Sequence, residues 1–157
     1  MQAVFLKPGD LHVATSPTII RTILGSCVAV CLMDAQRGIA GMNHYVHPRP
    51  FAQDSHSNEY GTIAIQALIR QMQDGGGKIS RMTAQLFGGA QQSGGTIMNI
   101  GAENITLARE MLEQVSIPVI FEHVGGAHGR KLLFDTGIGR VRYQWVKSQF
   151  LRSVAGA

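Results

Sequence analysis

Cys27 is the side chain in this sequence best placed to act as a nucleophile. It follows Gly25-Ser26 and precedes the apolar run Val28-Ala29-Val30-Cys31-Leu32-Met33. Its thiol therefore stands at the mouth of a strand, where solvent can reach it. Gly25 lets the backbone turn there and leaves space for a substrate carbonyl. Backbone N–H groups at such a bend, those around Ser26 and Cys27, can face outward and hold an oxyanion. Cys31 falls in mid-strand and reads as an inert core thiol. Taken alone, a cysteine ahead of an apolar run is more often a packing residue than a nucleophile.

A base within reach changes those odds. The turn-forming stretch Asp34-Ala35-Gln36-Arg37-Gly38 links the run at 27–33 to a second one at 39–46. Pairing outward from that turn brings His44 into the neighbourhood of Cys27, and an imidazole there can draw the thiol proton and hold the thiolate. Register arithmetic leaves a second reading of His44 equally open: a half-buried strand histidine bonded to backbone. His47, His56, His123 and His128 show no spacing with cysteine or carboxylate that suits a metal. Gly88-Gly89 and Gly125-Gly126 fit neither a phosphate loop nor a dinucleotide fingerprint, and read as close backbone packing around a site. Neither a metal nor a cofactor is expected.

Stretches at 11–15, 18–24, 27–33, 39–46, 83–87, 118–124, 130–135 and 140–146 have strand character. Tyr60, Ile63, Ala64, Ala67, Leu68 and Met72 recur at helical spacing after Asn58, a suitable N-cap, and stop at Gly75-Gly76-Gly77. Ile105, Ala108, Met111, Leu112 and Val115 mark a second helix over 102–114. Polar loops are expected over 47–57 and 91–98. Hairpins outnumber βαβ crossovers, so the expected fold is α/β of the α+β type. It has about seven strands in mixed, mostly antiparallel sheets, with two main helices packed on them. One compact domain over 1–147 and a frayed tail over 148–157 are expected.

The 157 residues, 45% hydrophobic and 15% charged, describe a globular chain able to bury its own core. The net charge of +4 comes from scattered Lys and Arg rather than a run, which favours an acidic protein surface as partner over nucleic acid. Two cysteines make no disulfide framework. The N-terminal stretch lacks the pattern of a signal peptide, and no apolar stretch is long enough to cross a bilayer. The expected location is the cytoplasm, without membrane insertion.

Five motifs in order resemble one family. They are Leu24-Gly25-Ser26-Cys27-Val28-Ala29-Val30-Cys31; Gly41-Met42-Asn43-His44 with Pro48; Phe87-Gly88-Gly89-Ala90; Asn99-Ile100-Gly101 with Asn104; and Gly125-Gly126 with Gly129-Arg130. Together they resemble the CheD family of chemoreceptor glutamine deamidases over about 5–147. The resemblance implies that Cys27 is the nucleophile and His44 the base, in an enzyme that converts receptor glutamines to glutamate. It also implies action on receptor glutamyl methyl esters in some members, and binding of the phosphatase CheC in many. Ser26, Gly25 and Asn43 are expected at the oxyanion and substrate, and Phe87, Gly88 and Gly89 at a partner. The family often carries a threonine six positions before the cysteine. Here that position is Arg21, and Thr22 is one place out of step. Thr22 is the expected third catalytic residue if a bulge restores its direction; otherwise Asn43, Ser26 or a backbone carbonyl is expected to orient His44. The departure keeps open an alternative, a weakly catalytic adaptor that docks and stimulates CheC.

Overall fold

The computed structural model describes residues 1–50, 56–91 and 99–146. In chain order the strands and helices are β1 (Gln2–Phe5), β2 (Leu11–Ala14), β3 (Thr18–Leu24), β4 (Val28–Asp34), β5 (Ile39–Asn43), α1 (Gly61–Asp74), β6 (Thr83–Gly88), α2 (Ile100–Gln114), β7 (Val119–Val124), β8 (Arg130–Asp135) and β9 (Arg140–Trp145). β1-β3-β8-β9 form a four-stranded sheet and β2-β5-β4-β6-β7 a five-stranded one. Among the named strand pairs of the described residues, β1–β3 and β6–β7 run parallel and the others antiparallel. The α+β expectation holds, with nine strands rather than about seven among the described residues. The tail and parts of both expected polar loops lie outside the described residues.

The layers explain the hydrophobic patterns. Both helices pack on one face of the five-stranded sheet, around Val28, Val30, Leu32, Ile65, Leu68, Leu86, Ala108 and Leu112. The four-stranded sheet covers the other face, around Ile20, Leu24, Ala29, Cys31, Met42, Phe87 and Phe134. A strand buried on both faces has no polar side, so β4 reads as an unbroken apolar run. β3 has only one covered face, and its burial alternates. Thr22 points into the inter-sheet layer with Ile20 and Leu24, while Arg21 points out.

The helix starts differ instructively. α1 begins at Gly61 rather than after Asn58 and has no side-chain cap. The carbonyls of His47 and Pro48 accept from Gly61 N–H and Thr62 N–H instead, so backbone does the work of a cap. α2 begins two residues earlier than its apolar spacing indicates, because the Asn99 side chain accepts from Ala102 N–H.

Candidate active site

Cys27 lies immediately before β4, and its side chain is half-buried against the inter-sheet core. β4 pairs with β5 so that Cys31 faces Met42, and an isolated bridge pairs Val28 with Tyr45 through two hydrogen bonds of 3.1 and 3.0 Å. The same register sets Ala29 opposite His44. Side chains two apart on a strand share a face, so Cys27, Ala29 and His44 all lie on the inter-sheet side. Cys27 and His44 are diagonal cross-strand neighbours, a relationship of roughly 7–8 Å within reach of an imidazole.

His44 is held on three sides. Its backbone N–H donates to Asp10 O at 3.1 Å, and its carbonyl accepts from Gly9 N–H at 2.8 Å. Its ring Nδ1 lies 2.7 Å from Thr22 Oγ1, which lies 2.8 Å from the Leu6 carbonyl. A hydroxyl has one hydrogen, and a carbonyl can only accept. Thr22 therefore donates to Leu6 and accepts from Nδ1–H. That assignment puts the ring proton on Nδ1 and leaves Nε2 as a bare lone pair. Nε2 is buried and meets no hydrogen-bond partner among the described residues. Thr22 itself is 1% exposed.

Electrostatics make both groups neutral at rest. Burial pushes the Cys27 thiol up to about 11, with the Glu59 carboxylate adding to the shift and its own backbone N–H opposing it. Burial pulls His44 down to about 4, against a weaker upward pull from Asp10. The sequence suggested a thiolate held by His44; desolvation works against that charge separation and favours the neutral form of each group. Burial raises Cys31 further still, as suits a core thiol.

The approach to Cys27 is pinned from behind. The carbonyls of Gly25, Ser26 and Cys27 accept from Ala90 N–H (3.0 Å), Asn104 Nδ2 (3.0 Å) and Gly89 N–H (2.8 Å). Gly88 has φ +106, and a Cβ there would collide with the Cys27 carbonyl, so only glycine admits this contact. At Gly25 a side chain would meet open space, which keeps the approach to Ser26 and Cys27 clear. Behind this layer, Gly125 N–H donates to Gly88 O, and Arg130 ties the turn down through the His123 and Gly125 carbonyls while lying 4.6 Å from the Trp145 ring centroid. The glycine pairs thus pack around the site, as their sequence context suggested.

Two expected assignments change. Asn43 faces the helices: its Oδ1 accepts from Val30 N–H and its Nδ2 donates to Ala64 O. One residue from His44 on an extended strand, it must point to the opposite face, so it does not reach the thiol. Phe87 is fully buried between the sheets, and Gly88 and Gly89 are buried with it. Their place is under Cys27 rather than on a partner-binding surface. Ser26 is exposed and Gly25 half-buried beside the thiol.

Asn104 is the positioning group that residue-level reading passed over. It is fully buried, and its Nδ2 also donates to Val46 O at 2.9 Å. One amide therefore joins the residue before Cys27 to the residue two beyond His44. Its motif was visible, but a helix asparagine reaching back to two strand ends leaves no mark on local spacing.

A half-buried thiol and a buried imidazole share the layer between the two sheets of an α+β domain. A model described as CheD chemotactic sensory transduction matches residues 47–145. The chain is 40% identical over 146 residues to a probable chemoreceptor glutamine deamidase CheD 1 of Anaeromyxobacter dehalogenans, covering 92% of this chain and 83% of that protein. It is 39% identical to the probable chemoreceptor glutamine deamidase CheD of Sulfurimonas denitrificans, covering 93% and 96%. It is 37% identical to that of Rhodospirillum rubrum, covering 99% and 89%. The chain belongs to the CheD family.

Proposed function

We propose that this chain hydrolyses the side-chain amide of selected glutamines on chemoreceptors to glutamate, with Cys27 as nucleophile and His44 as base. The observation that carries the reading is the chain from His44 Nδ1 through Thr22 to the Leu6 carbonyl, which leaves Nε2 bare in the layer that holds the Cys27 side chain. The relatives' names supply the substrate class.

In this mechanism the Cys27 thiol gives its proton to His44 Nε2 as the sulfur attacks the amide carbon. General-base transfer during attack suits a pair that is neutral at rest. The oxyanion forms beside the backbone N–H groups of Ser26 and Cys27. One feature supports that placement: the carbonyls of Gly25, Ser26 and Cys27 are all engaged from behind. His44 returns the proton to the departing nitrogen, and ammonia leaves a thioester on Cys27. A water then loses a proton to Nε2 and attacks the thioester. Glutamate leaves, and the proton returns to the sulfur. A glutamyl methyl ester offers the same carbonyl with methanol as leaving group and enters the same scheme.

A reactive thiol that must stay reduced suits the cytoplasm. No helix among the described residues is long and apolar enough to cross a membrane. CheC docking is the second reading. The contact of Thr22 with His44 supports the catalytic one, because it answers the departure at Arg21 that had favoured an adaptor.

The test is to incubate chemoreceptor cytoplasmic fragments with the wild-type protein and with Cys27→Ala, then map glutamine-to-glutamate conversion by peptide mass analysis. Conversion by the wild type alone is the expected result, and equal conversion by Cys27→Ala overturns it. A wild-type protein inert on receptors that accelerates CheC moves the conclusion to the adaptor.

A further inference from the structure

Among the described residues no layer covers the outer face of the four-stranded sheet, because both helices pack on the five-stranded one. That face carries a groove of about 510 Å³ whose lining includes Phe5, Arg21, Ile23, Lys131, Leu133 and Arg142. Cross-strand register orders these side chains. Phe5, Arg21, Leu133 and Arg142 form one row across all four strands, and Ile23 with Lys131 belongs to the next. Phe5 is 55% exposed, and Arg21, Lys131 and Arg142 are exposed around the half-buried Ile23 and Leu133. No acidic side chain lines the groove among the described residues.

The alternation of cation and apolar side chain sets the partner's chemistry. Arg21 and Arg142 flank Leu133 across two strand spacings, roughly 9.6 Å. Residues i and i+7 of a helix are about 10.5 Å apart along one face, with i+3 and i+4 between them. We propose that this groove docks an acidic amphipathic α-helix of a partner protein. Carboxylates at i and i+7 meet Arg21 and Arg142, and apolar residues at i+3 and i+4 cover Leu133, with Phe5 and Ile23 at the sides. Guanidinium–carboxylate pairs fix the register, and the apolar strip excludes water between them. The groove lies on the back of the strand that turns Thr22 inward to His44, so it is a surface separate from the thiol's approach.

The probe is a labelled helical peptide with glutamates at i and i+7 and leucines at i+3 and i+4, titrated against the full chain by fluorescence anisotropy. Saturable binding that weakens as salt rises is expected. Arg142→Glu and, separately, Arg21→Glu should each raise the Kd at least about tenfold; both positions are exposed, and circular dichroism checks that the variants fold. A peptide with lysine in place of both glutamates should not bind. The proposal is overturned by failure of the glutamate peptide to bind, by equal binding to either variant, or by equal binding of the lysine peptide. It is also overturned if the wild type ignores the peptide while these variants abolish self-association in sedimentation or binding to phosphatidylserine vesicles.

Discussion

Thr22 accepts the Nδ1–H of His44 at 2.7 Å and passes its own hydrogen to the Leu6 carbonyl at 2.8 Å. The threonine thereby sets which nitrogen of His44 carries the proton, although it stands one place from where the family resemblance looked for it. An extended strand inverts direction at each residue, so Arg21 points away from His44 and Thr22 points toward it.

Removing the hydroxyl should release the tautomer. Thr22→Val keeps the shape but leaves the Leu6 carbonyl and Nδ1–H unpaired in the interior, a loss of about 1–3 kcal/mol for a buried group left unsatisfied. kcat should fall more than KM rises, and Thr22→Ser should restore most of the rate. Denaturant midpoints and steady-state deamidation of receptor fragments check both. A Thr22→Val enzyme with wild-type kcat would remove Thr22 from the mechanism.

The pH profile should be wide on the acid side. With His44 held down to about 4 by burial, kcat/KM should stay level through the ordinary imidazole range and drop only as pH approaches 4. A drop centred near 6.5 would mean that the imidazole is solvated.

The same shift links pH to stability. Unfolded, His44 takes up its proton near 6.5; folded, it does so only near 4. Between those values the unfolded chain binds more protons. The stabilisation is thus fully present above about pH 6.5 and is lost as pH falls toward 4, an effect of about 3 kcal/mol. His44→Asn should flatten urea stability over that window. Asp34 acts lower. Burial alone would raise its carboxyl, but the Arg81 side-chain hydrogen bond, the Lys78 and Arg37 N–H groups and the Arg81 charge outweigh it and hold it below its usual range.

Alkylation reads the thiol directly. Iodoacetamide should modify Cys27 slowly at neutral pH, and the rate should climb toward a plateau near pH 11. A plateau already reached at neutral pH would reveal a preformed thiolate.

Gly88 tests the support beneath the nucleophile. Gly88→Ala forces a side chain onto the Cys27 carbonyl at a left-handed backbone position, so it should lower thermal stability and cut deamidation at least about tenfold. A variant with unchanged rate would show that this packing is incidental to catalysis.

Much of this was legible in sequence because local pattern reports burial. The unbroken apolar run from Cys27 to Met33 announced a strand covered on both faces, and the bounds of Thr18–Leu24 and Arg130–Asp135 match the expectation. What was not legible depends on partners distant in the chain. β1 pairs in parallel with β3, a contact that no hairpin turn signals. α1 is capped by carbonyls from 47–48, so the asparagine that looked like its cap is not used. Phe87 shows in sequence only as an aromatic before two glycines; which layer buries it is a property of the assembled sheets. The neutral resting state of Cys27 and His44 likewise comes from the depth of that layer.

The most direct measurement is acid-quenched single turnover of the wild-type protein with a glutamine-bearing chemoreceptor fragment, followed by mass mapping of the enzyme. A thioester to the receptor fragment on the peptide containing Cys27, absent in Cys27→Ala, is the predicted result. Conversion of the fragment's glutamine to glutamate by Cys27→Ala at the wild-type rate would contradict it.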